Sequence, residues 1–346
     1  SSVGGSNNDL GKSILLDQGK TYIGGLTYST DIDQKVNLGS GDILFGSLDE
    51  ENHTLAQSTL LGGNKLDNIV GLQLQLDGSI ILVANTNSSD LAQNGVGGGT
   101  DIYVCRLLPN GIILWENTIG SNGVDKAGDF KINSNGEIII VGTTFSEDFL
   151  EYKKGIKDGF VLCLNSDGQQ VWGKRLSNGN YSSFVACDLD RNENILLTGV
   201  QGKINTSNSG INGVYNEDIW VIQLSSAGEE NWRRLFGGSD NDFATDIVAS
   251  HDGGMLVVGI TESYDGLING NYGNKDAFAL KIDASGNKMW STKYGGSQDD
   301  LIQAVAQDKD GYYWLVGQTF SDDNDLSENN GGSDAWILKI EGESAV

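Results

Sequence analysis

Proline, histidine and cysteine are all rare in this 346-residue chain, with one, two and three copies. His53 and His251 are too few to favour a histidine-based nucleophilic or metal centre, and we expect both at the surface. The three Cys match no metal-binding spacing, so we interpret them as buried free thiols. Apolar runs stay far below the roughly 18 residues of a membrane span. We therefore expect membrane association only through a partner.

Basic residues are scarce as well. The chain has 22 Lys and Arg against 47 Asp and Glu, and its net charge is −25. This charge disfavours polyanions, so we exclude nucleic acid as a partner. Only five Arg are present, which argues against an arginine clamp for sialic acid. No Gly-x-x-x-x-Gly-Lys-Ser/Thr phosphate loop occurs, and we expect no organic cofactor.

Glycine, in contrast, is abundant at 49 residues, and much of it belongs to a repeat. Asp after a glycine pair or its remnant recurs at Asp9, Asp67, Asp125, Asp242 and Asp300, with Ser182 in the one missing place. A second Asp series runs Asp42, Asp101, Asp158, Asp218, Asp276 and Asp334. Thr-x-Ser-x-Asp begins at Thr27, Thr86, Thr144, Thr261 and Thr319, and Gly-x-x-x-Trp ends at Trp115, Trp172, Trp232 and Trp290. The order of the series never changes, which indicates six copies of one unit.

Each unit predicts four short strands, because its apolar runs are brief, rich in Val, Ile and aromatic residues, and separated by Asp-Gly or Ser-Gly turns. We therefore predict an all-β fold, a six-bladed β-propeller of four-stranded antiparallel blades. A β-solenoid or tandem sandwiches are the alternatives. The chain forms one domain over 1–346, with blades at about 4–61, 62–119, 120–176, 177–236, 237–294 and 295–346.

The sixth unit stops after its third strand. Ser1-Ser2-Val3 aligns with the end of a fourth strand, so we predict that residues 1–3 complete the last blade, unless a strand outside this chain does so. We expect the Trp series to pack between neighbouring sheets.

The repeats GGSxxD, GxxDxxxxKxD and GxxxW resemble those of exported β-propeller repeat proteins of Bacteroidota. They are clearest at Gly237–Asp242, Asp276–Lys281 and Gly286–Trp290. The resemblance covers essentially the whole chain. It implies an exported protein in the periplasm, at the cell surface or outside the cell, with a role in binding, adhesion or type IX secretion. It does not imply an enzymatic activity.

The loops between second and third strands, and between blades, share one end of the blades in this topology. All three acidic series belong to that end, which we call the long-loop face. Two interpretations stay open for the repeated Asp residues. They cap backbone N–H groups in turns, or they bind calcium, for which Asp322, Asp323 and Asp325 are the best candidates.

Aromatic residues in the same loops predict a rim for a partner. The fourth unit is irregular, since Lys203 and its neighbours replace Thr-x-Ser-x-Asp, and we predict a loop from Lys203 to Glu217 that contacts a partner. The candidate partner-binding residues are Tyr28, Asp31, Asp90, Phe145, Asp148, Lys203, Tyr264, Asp265, Phe320 and Asp323.

Taken together, these patterns favour a non-enzymatic exported propeller that binds a protein, or a glycan, through an acidic loop face. The alternative is a carbohydrate-active hydrolase that uses two loop carboxylates, because glycoside hydrolysis needs only such a pair. The sequence names no catalytic residue.

Overall fold

A computed structural model describes residues 3–32, 38–49, 51, 54–91, 98–151, 154–177, 179, 181–204, 215–267, 272–325, 329 and 331–342. All regular elements among them are β-strands, 23 in number. No helix in these ranges is long and apolar enough to cross a membrane. Contacts divide the chain into two compact units, Ser1–Lys153 with Phe160–Arg175, and Lys154–Gly159 with Leu176–Val346.

The first unit holds three antiparallel sheets, apart from the residues at the ends of β11 and β12 that group with the second unit. The strands of the first sheet are β1 (Asp9–Asp17), β2 (Lys20–Thr27), β3 (Asp42–Leu48) and β4 (Leu55–Leu61). Those of the second are β5 (Asp67–Leu74), β6 (Ile80–Thr86), β7 (Asp101–Leu107) and β8 (Ile113–Ile119). Those of the third are β9 (Asp125–Ile132), β10 (Ile138–Thr144), β11 (Asp158–Leu164) and β12 (Gln170–Leu176).

The second unit holds the other three sheets. The strands of the fourth sheet are β13 (Tyr181–Leu189), β14 (Ile195–Ile204), β15 (Tyr215–Leu224) and β16 (Glu230–Phe236). Those of the fifth are β17 (Asp242–Ala249), β18 (Met255–Thr261), β19 (Asp276–Ile282) and β20 (Lys288–Tyr294). Those of the sixth are β21 (Asp300–Gln307), β22 (Tyr313–Thr319) and β23 (Asp334–Ile340).

Strands follow one another in chain order within every sheet, and each sheet is one blade. The predicted fold class is therefore confirmed: the protein is an all-β, six-bladed β-propeller, with three described strands in its last blade. The blade boundaries and the completion of the last blade by residues 1–3 stay predictions, and Ser1 and Ser2 lie outside the described residues. One detail was wrong. The predicted loop from Lys203 to Glu217 is shorter, because β14 continues to Ile204 and β15 begins at Tyr215.

The inner strands carry the core. Between the first two blades, Tyr22 and Phe45 pack with Ile69 and Leu72 of β5. Gly24 makes this possible, because a β-carbon there would lie 2.5 Å from Ile69 Cδ1. Each such buried apolar side chain stabilises the fold by about 1.5–3 kcal/mol.

The cysteine prediction is confirmed, since Cys105, Cys163 and Cys187 are buried and free. Burial raises the pKa of the Cys105 thiol to about 12, which makes it unreactive.

Two tryptophans of the repeat contact turns of the next blade. Trp115 and Trp232 are half-buried, and their Nε1–H groups donate to Ser166 O at 3.0 Å and Ala284 O at 3.1 Å. These carbonyls belong to the third-to-fourth-strand turn of the following blade. The expected packing between neighbouring sheets is therefore observed at these two positions.

Candidate functional site

In every blade except the fourth, the Asp that begins the first strand is the centre of a hydrogen-bond network. Asp300 accepts hydrogen bonds from Thr319 Oγ1 at 2.6 Å, Ser321 Oγ at 2.8 Å and the Gly296 N–H at 2.6 Å. Asp67 has the same three kinds of donor: Thr86 Oγ1, Ser88 Oγ at 2.9 Å and the Gly63 N–H at 2.8 Å. The Thr and Ser hydroxyls of Thr-x-Ser thus hold the carboxylate, and the loop folds over it.

The last Asp of Thr-x-Ser-x-Asp caps the neighbouring glycine turn. Asp31, Asp90, Asp265 and Asp323 accept from the backbone N–H of Ser6, Asn64, Ser239 and Ser297 at 2.7–2.9 Å. Asp148 instead accepts from the Ser121 hydroxyl. All five candidate carboxylates are exposed on their other side. They are held in one orientation yet remain accessible.

The glycine pair is needed by these carboxylates. A β-carbon on Gly62 would lie 2.3 Å from Asp42 Oδ1, and one on Gly63 would lie 2.3 Å from Asp90 Oδ1. The same contacts recur at Gly295 with Asp276 and at Gly296 with Asp323. Any larger residue would displace a carboxylate on one side of the turn.

In the first five blades the Asp at or near the start of the third strand is buried, whereas Asp334 of the sixth blade is half-buried. In Asp42 and Asp276, Oδ2 accepts the backbone N–H four residues earlier, at 2.5 and 2.6 Å. In both residues Oδ1 is buried with no hydrogen-bond partner among the described residues. Desolvation, followed by the charge of Asp125 in the next blade, raises the pKa of Asp101 to about 7. Desolvation is also the largest cause of the raised pKa of Asp42, Asp242 and Asp276.

This burial corrects the predicted charge of the long-loop face. All three acidic series do lie at the loop ends of their strands. However, the third-strand Asp residues of the first five blades are nearly inaccessible, with Asp101 at 6% and Asp276 at 0% exposure, and so are Asp67 and Asp300. Of the three series, only the last Asp of Thr-x-Ser-x-Asp is exposed in every copy. Asp9 and Asp334 are half-buried, and the other Asp residues of the first two series are buried.

Several loop aromatics are exposed, as the predicted rim requires. Exposure is 37% for Tyr28, 42% for Phe145 and 61% for Tyr264, whereas Phe320 is half-buried. The sequence interpretation missed Tyr272, which is 46% exposed in the same loop as Tyr264. The Tyr264 hydroxyl donates to Gly273 O at 3.3 Å, and Lys293 Nζ lies 3.6 Å from the Tyr272 ring centroid. A second aromatic residue in the same polar loop was the signal that could have identified it.

The predicted calcium ligands accept from separate backbone segments. Asp322 accepts the N–H of Asn329 at 3.2 Å, and Asp325 that of Gly295 at 3.4 Å, while Asp323 caps Ser297. No group of three or more His, Cys, Asp or Glu suited to a metal ion occurs within the described ranges. Calcium binding stays a prediction.

The irregular fourth blade has Ser182 where other blades have Asp. Ser182 is buried, and its N–H donates to Lys157 O at 2.8 Å. Lys157 Nζ donates to the Tyr181 hydroxyl at 2.6 Å and lies 4.1 Å from the centroid of that ring. Lys203 pairs with Asn216 in the β14–β15 hairpin, and its side chain lies outside the described residues.

The short-turn end of the second unit has a cleft that the sequence did not indicate. It measures about 500 Å³ and is lined by His251, Asp252, Asp310, Tyr312 and Glu341, among others. Burial desolvates Asp252, but the bond from Lys281 at 2.8 Å and the Gly254 N–H leave its pKa below the usual value. His251 is exposed, as expected, and His53 lies outside the described residues.

Comparison with known proteins supports the architecture and little more. No protein-family model matches the chain. The chain is 28% identical over 149 residues to the regulatory protein FlaEY of Caulobacter vibrioides, a match of 40% of this chain and 15% of that protein. It is 22% identical over 312 residues to an uncharacterised WD repeat-containing protein of Acanthamoeba polyphaga mimivirus, covering 69% of this chain and 22% of that protein. The matches therefore span less than a quarter of either relative.

Solved structures share the fold at low identity. A protein of unknown function from Dyadobacter fermentans aligns over 98% of this chain and 97% of its own, with a TM-score of 0.52 and 11% identity. The NanB sialidase of Streptococcus pneumoniae aligns over 90% of this chain and 65% of its own, with a TM-score of 0.54 and 9% identity. At such identities the similarity concerns the fold alone.

Proposed function

We propose that this propeller is a non-enzymatic scaffold that binds a protein partner through its long-loop face. The observation that carries the proposal is the combination of exposed aromatic rings and exposed carboxylates on loops fixed by buried hydrogen bonds. Binding residues concentrate on loops that a rigid scaffold positions, and fixed loops lose little entropy on binding. The similarity to a WD repeat-containing protein fits a scaffold role.

The aromatic residues of the fifth blade give the sharpest test. Tyr264 and Tyr272 lie in the same loop and both are exposed, so we expect their removal to leave the blade folded. We expect the double variant Tyr264→Ala/Tyr272→Ala to recover at least tenfold less partner in affinity purification from the native source. Met289→Ala, at a 57% exposed position on β20 away from the loops, is the matched control. Equal recovery by all three proteins would contradict the proposal.

Export, and a place in type IX secretion or surface adhesion, form the finer part of the proposal. They rest on the repeat pattern, and a glycan is a second class of ligand for the same face. Fractionation of the native cells tests the first point. A full-length protein confined to the cytoplasm would contradict export.

The hydrolase alternative has less support, because the loop carboxylates Asp31, Asp90, Asp265 and Asp323 each accept a backbone N–H. Turn capping accounts for the placement of all four carboxylates without catalysis. Release of reducing sugar by the purified chain, lost in a loop-carboxylate variant, would favour the alternative over a scaffold.

A further inference from the structure

Carboxylates of neighbouring blades meet in pairs where one blade joins the next. Asp276 begins the third strand of the fifth blade, and Asp300 begins the first strand of the sixth. A β-carbon on Gly295, which lies between them in the chain, would contact Asp276 Oδ1 and would lie 3.0 Å from Asp300 Oδ2. The two carboxylate oxygens therefore converge beside one glycine.

The same pairing recurs at three other junctions of the described chain. A β-carbon on Gly237 would contact Asp218 Oδ1 and would lie 3.0 Å from Asp242 Oδ2. Desolvation is the largest cause of a raised pKa in one Asp of every pair, and the charge of the carboxylate in the neighbouring blade adds to it. The four pairs are Asp42 with Asp67, Asp101 with Asp125, Asp218 with Asp242, and Asp276 with Asp300.

One oxygen of the pair is left without a donor. In Asp42, Asp101 and Asp276, Oδ1 is buried and has no hydrogen-bond partner among the described residues. Both members of the Asp276–Asp300 pair are 0% exposed. Asp276 Oδ1 is also the oxygen that converges with Asp300 Oδ2. A buried anionic oxygen that faces a second carboxylate is strongly unfavourable unless a positive charge compensates it.

The described basic side chains do not supply this charge. Burial raises the pKa of Asp276 most, and among the nearby charges Asp300, which raises it, outweighs Lys293, which lowers it. Lys293 Nζ lies 3.6 Å from the centroid of the Tyr272 ring. No described Lys or Arg forms an ion pair with Asp276 or Asp300.

We propose that each of the four carboxylate pairs binds a divalent cation of the calcium type between neighbouring blades. Two carboxylates match the charge of one divalent ion, and calcium prefers carboxylate and carbonyl oxygens. Calcium takes roughly six to eight oxygen ligands, so backbone carbonyls or water supply the others. In the absence of the ion, the pair has to take up a proton instead.

These buried pairs differ from the exposed calcium candidates of the last blade. Asp322, Asp323 and Asp325 belong to none of the four pairs, and each accepts a backbone N–H of its own. The proposal is also independent of partner binding by the long-loop face, because no exposed loop residue takes part.

The fourth blade supplies an internal control. Ser182 stands where a first-strand Asp would complete the pair with Asp158. Asp158 Oδ2 accepts the Lys154 N–H at 2.8 Å, as Asp276 Oδ2 accepts the Tyr272 N–H at 2.6 Å. A single carboxylate does not match the charge of a divalent ion, so we expect no site at this junction.

Calcium itself is the probe. The full chain is stripped of divalent ions with a chelator and dialysed at about pH 8 against about 1 mM calcium, and the bound ion is counted by mass spectrometry. Wild type should bind about four ions through its four pairs. Asp276→Asn and Asp42→Asn should each bind about one ion fewer, and the double variant about two fewer. Asp158→Asn should bind as many ions as wild type.

Stability gives a second measurement on the same proteins. Because an ion that binds only the folded state stabilises it, calcium should raise the midpoint of thermal unfolding. The rise should be smaller in Asp276→Asn and Asp42→Asn than in wild type and Asp158→Asn. Circular dichroism checks that each variant is folded. The two pair variants lie in different compact units, so one that fails to fold leaves the other as a test.

Several results would overturn the proposal. One is the absence of saturable calcium binding by wild type, and another is an equal ion count in wild type and the folded pair variants. A third is an equal loss in Asp158→Asn, because that junction has no pair. A loss confined to Asp322→Asn/Asp325→Asn would place calcium in the exposed loop of the last blade instead.

Discussion

The fourth and fifth blades build the same corner with different chemistry. In the fifth, Asp242 accepts from the Gly238 N–H at 2.7 Å and Ser263 Oγ at 2.9 Å, and the chain leaves the sheet after Thr261. In the fourth, Ser182 stands in place of this carboxylate, opposite Gln201, and β14 continues straight to Ile204. The difference teaches that the carboxylate together with its Thr-x-Ser donors, both missing from the fourth blade, ends the second strand and folds the loop back.

Removing that carboxylate should have the largest effect. Asp242→Ala leaves a part-buried N–H and a buried hydroxyl without their acceptor, so we expect a loss of about 3 kcal/mol in the free energy of unfolding. Ser182→Ala removes one hydroxyl and should cost at most about 1 kcal/mol. Urea unfolding measures both. Similar losses would mean that the carboxylate does not organise the corner.

Substitution of the glycine beside the carboxylates comes next. A β-carbon on Gly237 would lie 2.3 Å from Asp218 Oδ1, so Gly237→Ala must displace a buried group and should cost about 1–3 kcal/mol. Gly331→Ala is the control, because nothing lies within 4 Å of its β-carbon position. If both variants kept wild-type stability, the close approach would not constrain the turn.

Where carboxylates of two neighbouring blades lie close together, as Asp101 and Asp125 do, the stability of the protein should depend on pH. The pKa of Asp101, raised to about 7, means that the folded state holds a proton that the unfolded chain releases near pH 4. This stabilisation is complete below about pH 4 and is lost as pH rises through about 7, with a slope of at most about 1.4 kcal/mol per pH unit.

Asp101→Asn should flatten the pH dependence of the urea midpoint between about pH 4 and 7, because an amide of the same shape does not titrate. Ser182→Asp should steepen the pH dependence by placing a further buried carboxylate beside Asp158. An unchanged slope in Asp101→Asn would show that the Asp101–Asp125 pair does not hold the proton.

Replacing an exposed turn-capping Asp of Thr-x-Ser-x-Asp should have the smallest effect on stability. Asp265 accepts one backbone N–H at 2.8 Å and is otherwise in solvent, so Asp265→Ala should cost about 1 kcal/mol. Asp265→Asn keeps an acceptor oxygen and should lose less than half of that in thermal unfolding. A cost as large as that of Asp242→Ala would erase the distinction between buried and exposed carboxylates.

Much of this architecture could be predicted from the sequence, because each predicted strand and turn recurs at the same place in six repeat units. The turn at Asp283–Gly286 and the strands beside it follow from local chemistry. The prediction for residues 203–217 was wrong because a polar stretch is typical of a loop, yet strand pairing between Lys203 and Asn216 extended the hairpin. The exposure of Tyr272 depends on how its loop lies, and no pattern of spacing gives that.

The sequence alone determined the number of blades, the order of their strands and the end at which the acidic series lie, since these depend on periodicity and alternation along the chain. Only the tertiary structure decided which carboxylates are buried. Asp42 and Asp31 look alike in the sequence, but Asp42 packs against a glycine of the next blade while Asp31 caps a turn in solvent. Desolvation and the accessible charge of the protein follow from that difference, because both depend on neighbours distant in the chain.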